Sequence, residues 1–210
     1  MTISTQSIRP AARLLRTIGQ DLVKDSYAAI VELVKNAYDA DSPSAVIKFN
    51  YDTKKSNLII EVVDQGHGMS LDIIANKWLV PATDDKLLRK KSSNSRVLQG
   101  RKGIGRFAAS ILGDIIILNS TQDGKETSLK LDMKELAQVE FLDQFKLKVE
   151  ETKTVKQNGT SIKVIKSNVT EEEVNNIWTD KQIQKLFTEL RNLLSPEEVY
   201  KAAEQQGYEI

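Results

Sequence analysis

The chain has 210 residues, 40% of them hydrophobic, enough for one large domain, or one domain with an appendage, to bury a core without covalent staples. It contains no cysteine and one histidine, which excludes disulfide frameworks, thiolate metal sites and His clusters for zinc or iron, so any metal must sit on oxygen ligands. Thirty basic residues against twenty-nine acidic ones give a net charge of +1, which argues for neither nucleic acid nor membrane as a partner.

Residues 10–40 carry apolar positions at helical spacing (Leu14, Leu15, Ile18, then Ile30, Val31, Val34, Ala37), and two helices fit, broken near 19–26. From Ala45 to Asp64 the pattern changes to two β-rich runs, AVIKFNY and NLIIEVVD, separated by the polar DTKKS, and the second delivers Asp64 at its end. Residues 70–78 fit one short helix, and 81–100 is a polar stretch with few core candidates, read as a long mobile loop. After Gly105 a FAASIL helix leads into the strands IIILNS, TSLKLDM, FKLKVEE and GTSIKVIK. The last third turns helical: Thr170/Glu173, Thr179/Gln182 and Ser195/Glu198 each have capping-box spacing, and Ile183, Leu186, Phe187, Leu190 and Leu194 form an apolar stripe expected to pack against the sheet domain. No run is apolar enough to span a membrane and residues 1–10 lack the pattern of a secretory signal, so a cytoplasmic location is expected. The ending GYEI reads as the start of a further strand, and a longer protein with a downstream domain is expected.

Four short elements carry chemistry. In ELVKNAYDA, Glu32, Asn36 and Asp39 share one helical face. The amide oxygen of Asn36 suits a magnesium ion that bridges phosphates, and Glu32, one turn earlier, is placed to take a proton from an attacking water. An ordinary amphipathic helix with a polar face has the same pattern. In DQGHGM, Asp64 emerges at a strand end, where a buried carboxylate accepts from an exocyclic amino group such as adenine N6, while Gly66 and Gly68 allow close backbone approach and positive φ. His67 between them reads as an exposed turn residue. GRKGIGRF sets Gly100, Gly103 and Gly105 ahead of a helix, which suits a phosphate chain or a hinge; it is neither a P-loop nor a dinucleotide fingerprint. Asn158-Gly159-Thr160 opens a strand, and Thr160 brings a hydroxyl towards the base.

In this order, over roughly residues 10–166, the four elements resemble the N box and the three glycine boxes of the GHKL superfamily, which comprises gyrase, the heat shock protein 90 chaperones, histidine kinases and MutL. The resemblance implies the Bergerat fold, an α/β two-layer sandwich with a mixed, mainly antiparallel sheet covered on one face by helices. It implies an ATP-binding domain over 1–168, with a lid at about 79–102; the helices read after it form a C-terminal extension over 169–210, outside the resemblance. It implies Glu32 as general base, Asn36 as magnesium ligand, Asp64 as adenine anchor, and Gly66, Gly68 and Met69 around the base. Gly100, Arg101, Lys102, Gly103, Ile104 and Gly105 would surround the phosphates, Thr160 would stand beside Asp64, and Asp39 would serve the site or the structure around it. ATP and magnesium are the implied cofactors. The lid is basic (Lys86, Arg89, Lys90, Lys91, Arg96, Arg101, Lys102, Arg106), and such a charge run either closes over phosphates or is simply solvated. With His67 the only histidine and Glu32 present, slow ATP hydrolysis is expected rather than histidine phosphorylation. The competing expectations are a nucleotide-gated module that dimerises on ATP binding without significant turnover, and a histidine-kinase-type domain. The client, DNA or protein, is undetermined.

Overall fold

The computed structural model describes residues 7, 9–15, 17, 25–80, 90–99 and 105–193. Helix α1 runs from Ser26 to Asp39, and its stretch AAIVELVKNA buries Ala29, Ile30, Leu33, Val34 and Ala37. It ends in a Schellman turn: the Ser42 N–H donates to the Ala37 carbonyl and the Asp41 N–H to the Tyr38 carbonyl, both at 3.1 Å, with Asp41 left-handed at φ 60°.

Strands β1 (Ala45–Asp52) and β2 (Asn57–Asp64) then form a hairpin, whose turn is fixed by Asp52 Oδ1 accepting from the N–H groups of Lys54 (3.0 Å) and Lys55 (3.1 Å). A helical turn, α2 (Leu71–Ile73), is capped by Ser70 and continues as a π-turn, Ile74–Trp78, which together fill the short helix expected at 70–78. A 3₁₀ turn, Gly105–Ala108, leads into α3 (Ala109–Leu112). Strands β3 (Ile115–Gln122) and β4 (Lys125–Asp132) are joined by Asp123-Gly124, both at positive φ, the two-residue turn whose twist matches that of the strands. After α4 (Met133–Leu136) come β5 (Val149–Lys153) and β6 (Gly159–Lys166), then α5 (Glu171–Ile177) and α6 (Asp180–Arg191).

The six strands lie in the order β1-β2-β6-β3-β4-β5, and every pairing among the described residues is antiparallel. Sequence-distant β6 is inserted between β2 and β3, so the third glycine element lies beside the first. On one sheet face the alternating side chains Leu58, Ile60 and Val62, Ile162 and Val164, Ile116 and Leu118, and Leu129 and Leu131 are buried, and α1 and α3 pack over that face. This is the two-layer α/β arrangement expected.

Of the two N-terminal helices expected, the second is α1; of the first, residues 14, 15 and 17 are helical, and 16 and 18–24 lie outside the described residues. The capping box at Thr170 forms with Glu173, whereas at Thr179 only the hydroxyl caps, accepting from the Gln182 N–H, and Gln182 Oε1 does not reach back. The third capping box, at Ser195, lies outside the described residues. The stripe on α6 packs against α1, with Leu186 and Leu190 joining the same core as the sheet, whereas Phe187 stays exposed. Trp178, before α6, closes that core edge-on against Phe49 of β1. Of the polar stretch 81–100 read as a loop, residues 81–89 and 100 lie outside the described residues. Within 90–99, Leu98 and Ser92 are buried and Lys91 bridges Val97.

Candidate functional site

Register builds the centre of the site. Ala45 pairs with Asp64, Asp64 with Thr160, Thr160 with Ser120, and Ser120 with Thr127, one row across five strands. Alternation puts this row on the helix-covered face, continuing the columns of Leu and Ile that make the core. At this end of the sheet the buried face therefore changes from hydrocarbon to one carboxylate and three hydroxyls.

Asp64 Oδ1 accepts from the N–H of Gly66 at 2.8 Å and of Thr160 at 3.2 Å, while Oδ2 has no partner among the described residues. Burial raises the Asp64 pKa, and the two backbone hydrogen bonds only partly oppose it. Asp64 is half-buried and its Oδ2 is not sealed from solvent, so a ligand N–H can reach that oxygen and add a donor to it. Beside it the Thr160 and Ser120 hydroxyls are 2.8 Å apart, and Ser120 Oγ accepts from the Met69 N–H at 2.8 Å. Ser120 thus ties the first glycine turn to the third glycine element. Thr127 Oγ1, at the end of the row, is buried and has no partner among the described residues.

Gly68 takes the positive φ expected of it, and the close approaches at Gly66, Gly68 and Gly159 are to protein backbone. A Cβ on Gly68, at φ 67°, would stand 1.8 Å from the Thr121 carbonyl oxygen, one on Gly66 would meet Ala40 O at 2.6 Å, and one on Gly159 would meet Asp64 O at 2.3 Å. The close approaches that demand glycine are made to the protein's own backbone, which draws the turn after β2 against α1, β3 and β6.

Ala40, at the end of α1, touches the Gly66 turn, so α1 starts its climb from the Asp64 end of the site. Asn36 is one turn back along the helix and Glu32 two, or about 6 Å and about 12 Å. Glu32 Oε1 receives the ammonium of Lys35 at 2.7 Å, and both side chains are partly exposed. The expected trio is divided: Asp39 is buried, and its Oδ1 accepts from the Gln99 N–H at 2.7 Å. Gly105 opens the 3₁₀ turn that packs on α1, whereas Gly100, Arg101, Lys102, Gly103 and Ile104 lie outside the described residues. Lys86 and Arg89 lie outside them too. Arg96, counted among the basic residues of the lid, donates to the Ser42 carbonyl at 2.8 Å and lies over the Tyr38 ring at 4.9 Å. His67 is half exposed, as read, yet it is not a bare turn residue, since its Nε2 bonds Asp41 Oδ2 at 2.8 Å.

Sequence reasoning missed Ser120, Asp41, Ser42 and Lys35. Ser120 was legible as the polar member of the inward column Ile116, Leu118, Ser120; Asp41 gave no signal, because its partners are 26, 51 and 53 residues away.

Residues 25–163 match the profile of the histidine kinase-, DNA gyrase B- and HSP90-like ATPase family. The chain belongs to this family. No curated protein sequence matches the chain. Membership joins the four elements to one ATPase-type domain, and the matched residues begin just before α1 and end within β6. Among the described residues no helix is long and apolar enough to cross a membrane.

Proposed function

We propose that this GHKL-type domain binds ATP with magnesium and hydrolyses it slowly, and that binding drives lid closure and dimerisation in a longer, cytoplasmic protein. The observation that carries this reading is the Oδ2 of half-buried Asp64, which has no partner among the described residues and is an acceptor suited to the adenine amino group, with the Thr160 and Ser120 hydroxyls beside it. The rise of α1 from that point supports a triphosphate lying along the helix, with Asn36 and then Glu32 facing successive parts of it. Magnesium would neutralise phosphate charge; the Asn36 amide oxygen suits it, and the remaining ligands would be nucleotide and water oxygens. Glu32 would take the proton of the attacking water, and for this its carboxylate must be free of Lys35.

That ion pair favours a second reading, a nucleotide-gated interaction module with little turnover, because the Lys35 ammonium at 2.7 Å occupies a carboxylate oxygen that would have to take the water's proton. Calorimetric titration with ATP and magnesium should give saturable binding to the native chain. The Asp64→Asn variant should bind about 10- to 100-fold more weakly, as expected for a lost hydrogen bond to a charged group. Native-like binding by Asp64→Asn would remove the adenine-anchor assignment. Glu32→Gln should bind ATP as the native chain does yet release no phosphate; if the native chain binds ATP and releases none either, the module reading stands.

A further inference from the structure

The C′ position of a Schellman turn usually belongs to glycine, since it requires left-handed backbone, and aspartate is among the few side chains that tolerate it. Here the position holds Asp41, at φ 60°, with a side chain only 1% exposed. Both carboxylate oxygens are used. Oδ1 accepts from Ser92 Oγ at 2.5 Å, and Oδ2 accepts from the Asn94 N–H at 3.0 Å and bonds His67 Nε2 at 2.8 Å. Burial alone would raise the Asp41 pKa, but the bonds from Ser92, His67 and Asn94 outweigh it and hold the group below its ordinary value.

The three donors come from two segments. His67 sits between Gly66 and Gly68, in the turn that carries the base end of the site, whereas Ser92 and Asn94 belong to 90–99, which runs up to the second glycine cluster. Their neighbours repeat the pattern on the same short turn after α1. The His67 N–H donates to Ala40 O at 3.1 Å and the Gln65 N–H to Ser42 Oγ at 2.8 Å; from the other side Arg96 donates to Ser42 O at 2.8 Å. His67 and Ser92 share no hydrogen bond with each other, and Asp41 is their common partner.

We propose that Asp41 is a positioning residue for the nucleotide site, tying the turn of Asp64, Gly66 and Gly68 to segment 90–99 so that the base end and the approach to the phosphate glycines keep one relation. It acts through His67, Ser92 and Asn94 and touches no nucleotide. The inference rests on the ATP-binding reading and deepens it. Its consequence is energetic coupling between two residues that do not meet, which a residue serving stability alone does not produce.

The test uses the full chain. Asp41→Gly keeps, and even favours, the left-handed backbone while deleting the carboxylate, so it separates the side chain from the turn. Its ATP affinity should fall about tenfold, and Asp41→Asn, which retains an acceptor and tolerates the same backbone, should recover most of the loss. In the native background the losses in ATP affinity caused by His67→Ala and Ser92→Ala should be less than additive; in the Asp41→Gly background they should add. Amide hydrogen exchange read without nucleotide reports folding: Asp41→Gly should speed exchange at Asn94 while leaving the sheet protected. ATP binding by the native chain with additive losses in the cycle would overturn the positioning role alone. Absence of ATP binding by the native chain would overturn the nucleotide reading and the positioning role with it. If Asp41→Gly loses protection throughout the sheet, the cycle between His67 and Ser92 decides by itself.

Discussion

Asp41 and Asp64 stand at the two ends of the same small region and are held in opposite ways. Asp41 closes α1 with both oxygens satisfied and a lowered pKa; Asp64 ends β2 with one oxygen satisfied by two backbone N–H groups, the other without a partner among the described residues, and a raised pKa. Burial acts on both in the same direction, so the donors decide the difference. A buried carboxylate whose donors are complete joins parts of the structure, and one left short of a donor at a cavity is an acceptor kept for a ligand.

The comparison is broken most completely at the turn both aspartates share. Gly68→Ala sets a Cβ 1.8 Å from the Thr121 carbonyl in a left-handed conformation, and should cost about 3 kcal/mol or more, seen as a large fall in the urea midpoint. Ser120→Ala removes the acceptor of the Met69 N–H and the partner of Thr160, and should cost about 1–3 kcal/mol by denaturant unfolding, together with a weaker affinity for ATP. Asp64→Asn, so harmful to binding, should leave the ligand-free chain at least as stable as before, with a melting temperature higher by about 2–4 °C if the relieved burial is worth ~1 kcal/mol. A fall would mean that Oδ2 has a protein partner.

The smallest effect is in pH. Asp41, with a depressed folded pKa, contributes stability that is present above its unfolded pKa and is lost as pH falls through the folded value. Asp64, with a raised one, contributes stability that is present below its unfolded pKa and is lost as pH rises through the folded value. The melting-temperature deficit of Asp41→Gly should therefore shrink as pH drops below the ordinary carboxylate range. The advantage of Asp64→Asn should vanish over the same range and grow as pH rises above it.

What was legible in the sequence follows from local physics. Alternation in NLIIEVVD and GTSIKVIK marks strands, the spacing of Ile30, Val34 and Ala37 marks a helix, and glycines with Asp64 and Asn36 in order mark the family. The Thr170 and Thr179 caps were readable because a cap needs only residues three apart. Tertiary structure alone decided the rest. Insertion of β6 between β2 and β3 lines Thr160 up with both Asp64 and Ser120, and no local pattern encodes which strand a distant strand will join. Likewise Asp39, on the helix face that suggested ligands, and Asp41, two residues on, are turned to the backbone of 94–99, because a buried carboxylate takes whichever donors the fold brings to it.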